Sequence, residues 1–225
     1  MKQLVRIRRP TSYIRVLLAV LMVSALAAAE GRLVRAGNLI YAGDQTSVCF
    51  SDRFLTTVET ESGINTEKRM HAVHLSQADE LMATPFVIMN GQNAFTLQEG
   101  ERANLKKYLE GGGFLLASAG CSSEQWSTSM LTELKAMFGT DCLTTLPDSH
   151  AVFRTLFDLK PPLQLSHGGT AVFQGLILDG RLACLFSKEG LNDTAHTTGC
   201  CCCGGNEVKP AEEMVANCLV YALVE

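Results

Sequence analysis

The sequence predicts an α/β fold, a three-layer sandwich built on a mostly parallel sheet. Short apolar runs of strand length alternate along the chain with longer segments of helical periodicity. The stretch 85–123 also contains a complete strand–helix–strand unit. Units of this length join parallel strands through a right-handed crossover. Together these two observations place helices on both faces of the sheet.

The central unit has two buried strands, predicted at residues 86–89 and 114–118, with an amphipathic helix between them. Thr96 is a candidate N-cap for that helix. Gly111 suits the left-handed residue that follows a last helical turn. The sequence therefore predicts both ends of the helix as well as its buried face.

Two further strands are predicted before the central unit. Residues 39–41 form a short apolar run ended by Gly43, and residues 72–75 form a weaker one. A helix is expected from Ser51, as its N-cap, to about residue 59, and a short helical turn at 78–82.

The chain after the central unit completes the α/β alternation. Asp179-Gly180 is a tight-turn signal between two apolar arms, so residues 176–178 and 181–187 are expected to form a hairpin whose second arm joins the main sheet. The other predicted elements are a helix from Ser122 or Ser123 to residue 138, an irregular segment at 141–170, a glycine-rich loop at 188–208 and a last helix from Pro210.

Residues 1–29 have the pattern of a signal peptide. A basic start precedes an apolar run at 16–26, and Ala27-Ala28-Ala29 is a small-residue cleavage site. We therefore expect one α/β domain at 30–225, exported to the periplasm or the cell exterior. The apolar run is short for a membrane span, so no integral span is expected after cleavage. An uncleaved anchor is the alternative.

The net charge of the chain argues against polyanionic partners. Residues 30–225 keep 14 of the 19 basic residues and all 23 acidic ones, a net charge of −9. Because the chain is this acidic and has no basic cluster, nucleic acid and anionic membranes are not expected partners.

The nine cysteines are the most unusual feature of the composition, and all of them follow residue 29. In an oxidising compartment most would pair, and an odd number leaves at least one unpaired or bound to something else. Four are consecutive: Cys200, Cys201, Cys202 and Cys203. Because neighbouring side chains of an extended chain point to opposite sides, these four thiols do not easily surround one ion.

Three interpretations of this cysteine cluster stay open. The first is that its members form disulfides with Cys49, Cys121 or another cysteine. The second is a thiolate metal site completed by Cys49, Cys121 or His196, for which zinc and copper(I) are the candidate ions. A redox or persulfide role is the third interpretation.

In parallel α/β sheets, ligands bind beyond the carboxyl ends of the strands. Here this rule brings the loops that carry Cys49, Cys121 and the cysteine cluster to one edge. The predicted ligand-binding residues at the same edge are Asn90, Gly91, Asn192 and Asp193.

Cys121 lies where a strand turns sharply into a helix, the geometry of a nucleophile elbow. A thiol near helix amides is acidified, and a nucleophile also requires a base. The candidate bases are His150, His167 and His196. The alternative is a structural role for Cys121, in a disulfide or in the core.

Several segments together resemble one bacterial family, domain of unknown function 4159. They are PFVIMNG and FTLQEGERANLKKYLEGGGFLLASAGCSS, followed by DGRLACLFS, GLNDT, CCCCGGNE and NCLVYAL. The resemblance runs from about Leu33 to the end of the chain. It implies a flavodoxin-like sandwich similar to class I glutamine amidotransferases, and no established activity.

True glutamine amidotransferases carry a Gly-x-Cys-x-Gly elbow and a later His-x-Glu. Here Ser123 replaces the second glycine, and no His-x-Glu occurs. Our leading hypothesis is therefore a non-catalytic, exported binding or interaction module. In it the cysteine cluster, joined by disulfides or by a metal ion, stabilises the carboxyl edge of the sheet. The alternative is a hydrolase or transferase that uses Cys121 as nucleophile and a histidine as base, so enzymatic activity stays an open question.

Overall fold

The computed structural model describes residues 33–46, 49–192 and 205–225. The strands are β1 (Ala36–Ile40), β2 (His71–His74), β3 (Phe86–Gly91), β4 (Phe114–Ala119), β5 (Leu143–Thr145), β6 (Gln174–Leu178) and β7 (Arg181–Ser187). The α-helices are α1 (Arg53–Ser62), α2 (Ala78–Met82), α3 (Glu99–Glu110), α4 (Glu124–Phe138) and α5 (Ala211–Val224). Short 3₁₀ turns occur at Gly120–Ser122 and Ala151–Phe153.

These strands form one mixed sheet in the order β2-β1-β3-β4-β7-β6-β5. The first five strands in this order run parallel. Beyond them, β6 pairs antiparallel with β7, and β5 pairs antiparallel with β6. The predicted α/β fold with a mostly parallel sheet is therefore confirmed. The predicted hairpin is also present, with Asp179 and Gly180 at φ of 50° and 83°.

The central strands are buried on both faces, which explains why their sequences are continuous apolar runs. All six residues of β3 and all six of β4 are buried. One apolar cluster joins the sheet to α1, α5 and the turn at Ala151–Phe153. A second cluster joins the other face to α2, α3 and α4. Helices therefore cover both sides of the strands.

The ends of α3 differ from the sequence prediction. Thr96 is exposed, and the N-cap is Gln98, whose N–H donates to Glu101 Oε2 at 2.9 Å. A side-chain cap at Thr96 would accept from the N–H of Gln98 or Glu99, and the N–H of Gln98 is already used by Glu101. The N–H of the buried Leu97 donates to Glu133 Oε1 at 3.0 Å, which holds this residue outside the helix. At the other end Gly111 has a φ of −81°, and Gly112 is the left-handed residue.

The start of α1 is also displaced by one residue. Its N-cap is Asp52 rather than Ser51, although Ser51 Oγ accepts a hydrogen bond from Arg53 N at 3.2 Å. The last helix starts at Ala211, directly after Pro210. The segment predicted to be irregular contains β5, which forms one edge of the sheet.

Contacts gather Val34–Glu225 into one compact unit. The other unit, Met1–Leu33, lies outside the described residues apart from its last residue, and so does the predicted signal peptide. In the part of the chain that the structure describes, no helix is both long and apolar enough to cross a membrane.

Candidate binding site at the carboxyl ends of the strands

A chain of buried amides crosses the carboxyl ends of three strands. Asn90, near the end of β3, donates from Nδ2 to the carbonyl oxygen of Ser118 in β4 and to Asn192 Oδ1, both at 2.7 Å. Ser118 Oγ in turn accepts from Leu191 N at 2.8 Å. Asn90 is fully buried, and its Oδ1 has no hydrogen-bond partner among the described residues. The amides therefore tie the loop after β7 to β3 and β4.

The carboxyl group of Glu207 ends this chain of amides. Its Oε1 accepts from Asn192 Nδ2 at 2.7 Å and from the backbone N–H of Cys121 at 3.2 Å. Burial raises the pKa of Glu207, while the hydrogen bonds from Asn192 and Cys121 oppose that increase. One buried carboxyl thus connects the segment before α5 to the turn after β4.

The turn after β4 has an unusual backbone. Cys121 and Ser122 have φ of 52° and 54°, a left-handed conformation that is uncommon for residues other than glycine. Ser123 then caps α4 by accepting from Trp126 N at 3.3 Å. The sharp strand-to-helix turn predicted at Cys121 is therefore present, and it stores backbone strain of about 1–3 kcal/mol per residue.

Gly205 shows how closely a second segment approaches this turn. A Cβ atom at Gly205 would lie 2.5 Å from the Cα of Cys121 and 2.7 Å from its carbonyl carbon. Because real Cβ atoms do not approach backbone so closely, only glycine fits here. The chain thus returns against Cys121 immediately before Glu207.

The cysteines fall into two groups. Cys142, Cys184 and Cys218 are free thiols, whereas Cys49 and Cys121 are disulfide-bonded. Gln92 Nε2 also lies 3.2 Å from Cys121 Sγ. The four residues predicted as a disulfide or metal cluster, Cys200, Cys201, Cys202 and Cys203, lie outside the described residues, as does Asp193. Within ranges 33–46, 49–192 and 205–225, no group of three His, Cys, Asp or Glu residues is arranged to hold a metal ion.

The structure does not bring His150 to Cys121. His150 Nδ1 accepts from Val152 N at 3.2 Å, and its ring packs 5.7 Å from that of Tyr221. Tyr221 Oη accepts from Leu182 N at 3.3 Å, at the start of β7. His150 is therefore at the amino ends of the strands. At about 3.3 Å per residue, the length of β4 puts it on the order of 20 Å from the turn at Cys121.

The other two histidines have different positions. The backbone N–H of the exposed His167 donates to Asn206 Oδ1 at 2.7 Å, which places this residue beside Glu207 at the carboxyl edge. His196 lies outside the described residues.

Gly91, which the sequence analysis predicted to bind ligand together with Asn90, is packed against aromatic side chains. A Cβ atom there would lie 2.2 Å from Tyr41 Oη and 2.7 Å from Trp126 Nε1. Trp126 Nε1 donates to Tyr41 Oη at 2.7 Å, and Tyr41 Oη donates to the carbonyl oxygen of Asn90 at 3.1 Å. Burial raises the pKa of Tyr41 to about 12 despite the hydrogen bond from Trp126. Aromatic side chains therefore fill the space beyond β1 and β3.

An open cavity of about 440 Å³ lies on the other side of the turn. It is bounded by the first turns of α4, the end of β7 and Asn206. Sequence reasoning missed its principal polar residues, Ser127 and Glu189. The available signal was the position of Glu189, two residues after the carboxyl end of β7. The lining residues are Ser122, Glu124, Ser127, Thr128, Leu131, Gln174, Phe186, Lys188, Glu189 and Asn206.

The fold and this edge define an α/β domain with a mostly parallel sheet and a polar site at the carboxyl ends of its strands. The chain belongs to the family described as domain of unknown function (DUF4159), whose sequence profile matches residues 39–223. A search of curated proteins found no match.

Proposed function

We propose that this chain is an exported, non-catalytic binding module whose carboxyl edge is held in its binding shape by disulfides. The observation that carries the proposal is the state of Cys121: it is disulfide-bonded within a left-handed turn, and its N–H is bound by the buried Glu207. A sulfur in a disulfide is unavailable as a nucleophile, but it is well suited to hold a strained turn.

The cysteine cluster is the proposed partner of Cys121. Gly205 lies against the backbone of Cys121, and Cys203 precedes it by two residues in sequence. Two residues span at most about 7 Å of extended chain. A disulfide needs its two Cα atoms within about 7 Å, so the chain length favours a bond between Cys121 and a member of the cluster. We propose a similar bond for Cys49.

Export is the second part of the proposal. The basic and apolar pattern of residues 1–29 supports cleavage after that segment and release of a domain at 30–225 to the periplasm or the cell exterior. Disulfides such as those of Cys49 and Cys121 persist in these oxidising compartments.

We also propose that the fold is flavodoxin-like, as in class I glutamine amidotransferases. The parallel strands β2-β1-β3-β4 follow the order 2-1-3-4 typical of flavodoxin-like sheets. Fold alone does not carry activity from one protein to another. The proposal therefore concerns architecture and does not include amide hydrolysis.

One observation favours the alternative, a cysteine-dependent hydrolase or transferase, and two oppose it. The left-handed turn at Cys121 resembles a nucleophile elbow. Against it, Cys121 is disulfide-bonded and His150 packs at the amino ends of the strands.

A thiolate site for zinc or copper(I) at Cys200 to Cys203 is a separate alternative, and the metal content of the purified protein tests it.

The test begins with the mature protein purified without reductant. Intact mass under denaturing conditions, combined with alkylation before and after reduction, counts the bridges and identifies their cysteines. We expect Cys49 and Cys121 to be protected from alkylation until reduction. A reactive Cys121 thiol in the native protein would contradict the disulfide proposal. So would a bound metal ion detected by native electrospray mass spectrometry.

Substitution then separates a structural Cys121 from a catalytic one. We expect Cys121→Ser to lower the free energy of unfolding by about 2–4 kcal/mol, the usual contribution of a disulfide. The matched control is Cys142→Ser, because Cys142 is a half-buried free thiol. A Cys121→Ser protein of unchanged stability that loses a hydrolytic or transfer activity would instead establish the catalytic alternative.

A further inference from the structure

The cavity beside α4 has the size of a small-molecule site. Its volume of about 440 Å³ lies within the range of about 300–1,000 Å³ typical of ligand pockets. It opens at the carboxyl edge of the sheet, next to the strained turn, because Ser122 is one of its lining residues. We call it the Glu189 cavity.

Two residues that line the Glu189 cavity each have a polar atom that is shielded from solvent and has no partner in the described part of the chain. Glu189 Oε2 and Ser127 Oγ make no hydrogen bond to any described residue. Unpaired buried polar atoms are uncommon in native proteins, and each requires an explanation. Both atoms belong to residues that line the same cavity, so small rotations of the two side chains would let a ligand that donates hydrogen bonds satisfy both.

The charge of the wall favours a cationic donor. The Glu189 side chain is only 12% exposed, and its Oε1 lies 3.9 Å from the ammonium group of Lys188. Burial raises the pKa of this carboxyl, while its own backbone N–H, the charge of Lys188 and the N–H of Val172 lower it. A second carboxylate, Glu124, also lines the cavity, so the acidic groups outnumber the single lysine.

The rest of the wall matches a hydroxylated ring. Thr128, Gln174 and Asn206 provide neutral hydrogen-bonding groups, whereas Leu131 and Phe186 provide apolar surface. Neutral hydrogen-bonding groups complement hydroxyls, and apolar side chains complement the C–H face of a sugar ring. Glu189 adds one carboxylate oxygen that pairs with Lys188 and one that has no described partner. These polar groups distinguish the cavity from a purely apolar pocket.

We propose that the Glu189 cavity binds a hydroxylated primary amine of amino-sugar size, with its ammonium group between Glu189 Oε2 and Ser127 Oγ. This inference rests on the proposed binding function and adds a ligand class and a location to it. The amine supplies the donors that both atoms lack, and the hydroxyls contact the neutral part of the wall.

The test is a titration of the isotopically labelled, oxidised mature protein, followed by amide chemical shifts. The probe is D-glucosamine hydrochloride, and D-glucose and N-acetyl-D-glucosamine are the uncharged comparisons at matched ionic strength. We expect glucosamine to shift the amides of Ser127, Phe186 and Glu189, and to bind at least about tenfold more tightly than glucose, because charge-assisted hydrogen bonds are the stronger ones.

Two variants locate the site. Glu189→Gln keeps the shape of the side chain and removes its charge, so we expect glucosamine affinity to fall about tenfold. Glu110→Gln is the matched control, since Glu110 is exposed on α3, pairs with Lys106 and does not line the Glu189 cavity, and it should leave the affinity unchanged. If the amide spectrum shows that Glu189→Gln has not folded, Ser127→Ala replaces it, and a several-fold loss is expected.

Equal affinity for glucose and glucosamine, an unchanged affinity in Glu189→Gln, or shifts confined to other parts of the chain would each overturn the inference. So would the absence of any shift with glucosamine. These results are independent of the disulfide measurements. A protein with the expected bridges and no glucosamine binding refutes only the ligand, whereas free thiols at Cys49 and Cys121 refute the disulfide proposal and leave the titration interpretable.

Discussion

The carboxyl edge of the sheet has two halves that differ in packing. The closed half, beyond β1 and β3, contains Tyr41, Gly91 and Trp126. There the indole N–H of Trp126 and the carbonyl oxygen of Asn90 are both bound by the hydroxyl of Tyr41. The open half, beyond β4 and β7, contains the Glu189 cavity, where Ser127 Oγ and Glu189 Oε2 lack partners in the described chain.

This difference shows that strand order does not by itself locate a binding site. In sheets of this parallel order, ligands usually bind where the order reverses, beyond β1 and β3. Here the fully buried Trp126 occupies that space, and its ring lies 5.8 Å from that of Phe95. Asn90 Oδ1 also lacks a described partner, but Asn90 does not line the Glu189 cavity, whereas Ser127 and Glu189 do. We therefore assign binding to the open half and stability to the closed half.

The strongest way to break this assignment is to remove the side chain that fills the closed half. We expect Trp126→Ala to lower the free energy of unfolding by about 3–5 kcal/mol, because it empties a fully buried site. The control is Leu131→Ala, on the same helix but half-buried at the cavity, with an expected loss of about 1 kcal/mol. Urea unfolding of both proteins measures the difference. Equal losses would contradict the division of the edge.

A second comparison removes one hydroxyl group from each half, and a smaller change in the free energy of unfolding is expected. Tyr41→Phe leaves Trp126 Nε1 and the carbonyl oxygen of Asn90 without their partner, so we expect a loss of about 1–3 kcal/mol. Ser127→Ala removes a hydroxyl that bonds to no described residue, so its unfolding free energy should stay within about 0.5 kcal/mol of the wild type. A loss for Ser127→Ala as large as that for Tyr41→Phe would show that the open half is also structural.

The smallest effect concerns Glu207, which connects the turn after β4 to Asn192. Burial raises the pKa of its carboxyl above the usual value of 4.5. The folded protein therefore binds this proton more tightly than the unfolded chain does. The resulting stabilisation is complete below the unfolded pKa and is lost as the pH rises through the folded pKa.

We therefore expect the wild-type unfolding free energy to decrease from about pH 4.5 upward, and to decrease less in Glu207→Gln. Chemical unfolding at a series of pH values measures both curves. Glu189 also has a raised pKa, but it is present in both proteins, so the difference between the curves isolates Glu207. Parallel curves for the two proteins would rule out a raised pKa for Glu207.

Most of the fold could be predicted because its signals are local. The runs that became β3 and β4 are apolar throughout, as expected of central strands, and Asp179-Gly180 fits only a tight turn. Helix ends were less predictable, because competition for one N–H decides them. Thr96 has a suitable side chain for a cap, but Glu101 already binds the N–H of Gln98 that such a cap would use.

The site was only partly predictable, because half of it depends on long-range docking. Asn90 and Asn192 follow strands of a parallel sheet, so the rule for carboxyl ends is sufficient to find them. Glu207 follows no strand of the sheet. Its burial depends on pairing of the next residue, Val208, with Leu165, which sequence spacing does not reveal. The position of His150 was equally hidden, because an irregular segment can return to either end of the strands.

The length of the outermost strands limits how this protein can associate with copies of itself. An edge strand exposes unpaired backbone groups to which another chain can add, and long flat edges promote aggregation. Here the sheet ends in β2, which has four residues, and in β5, which has three. The exposed Lys68 and Arg69 precede β2. A second molecule that extended the sheet at either end would gain only a few backbone hydrogen bonds, and one that paired its own β2 with this β2 would also bring basic side chains together. A concentrated solution of the folded protein should therefore resist edge-to-edge polymerisation.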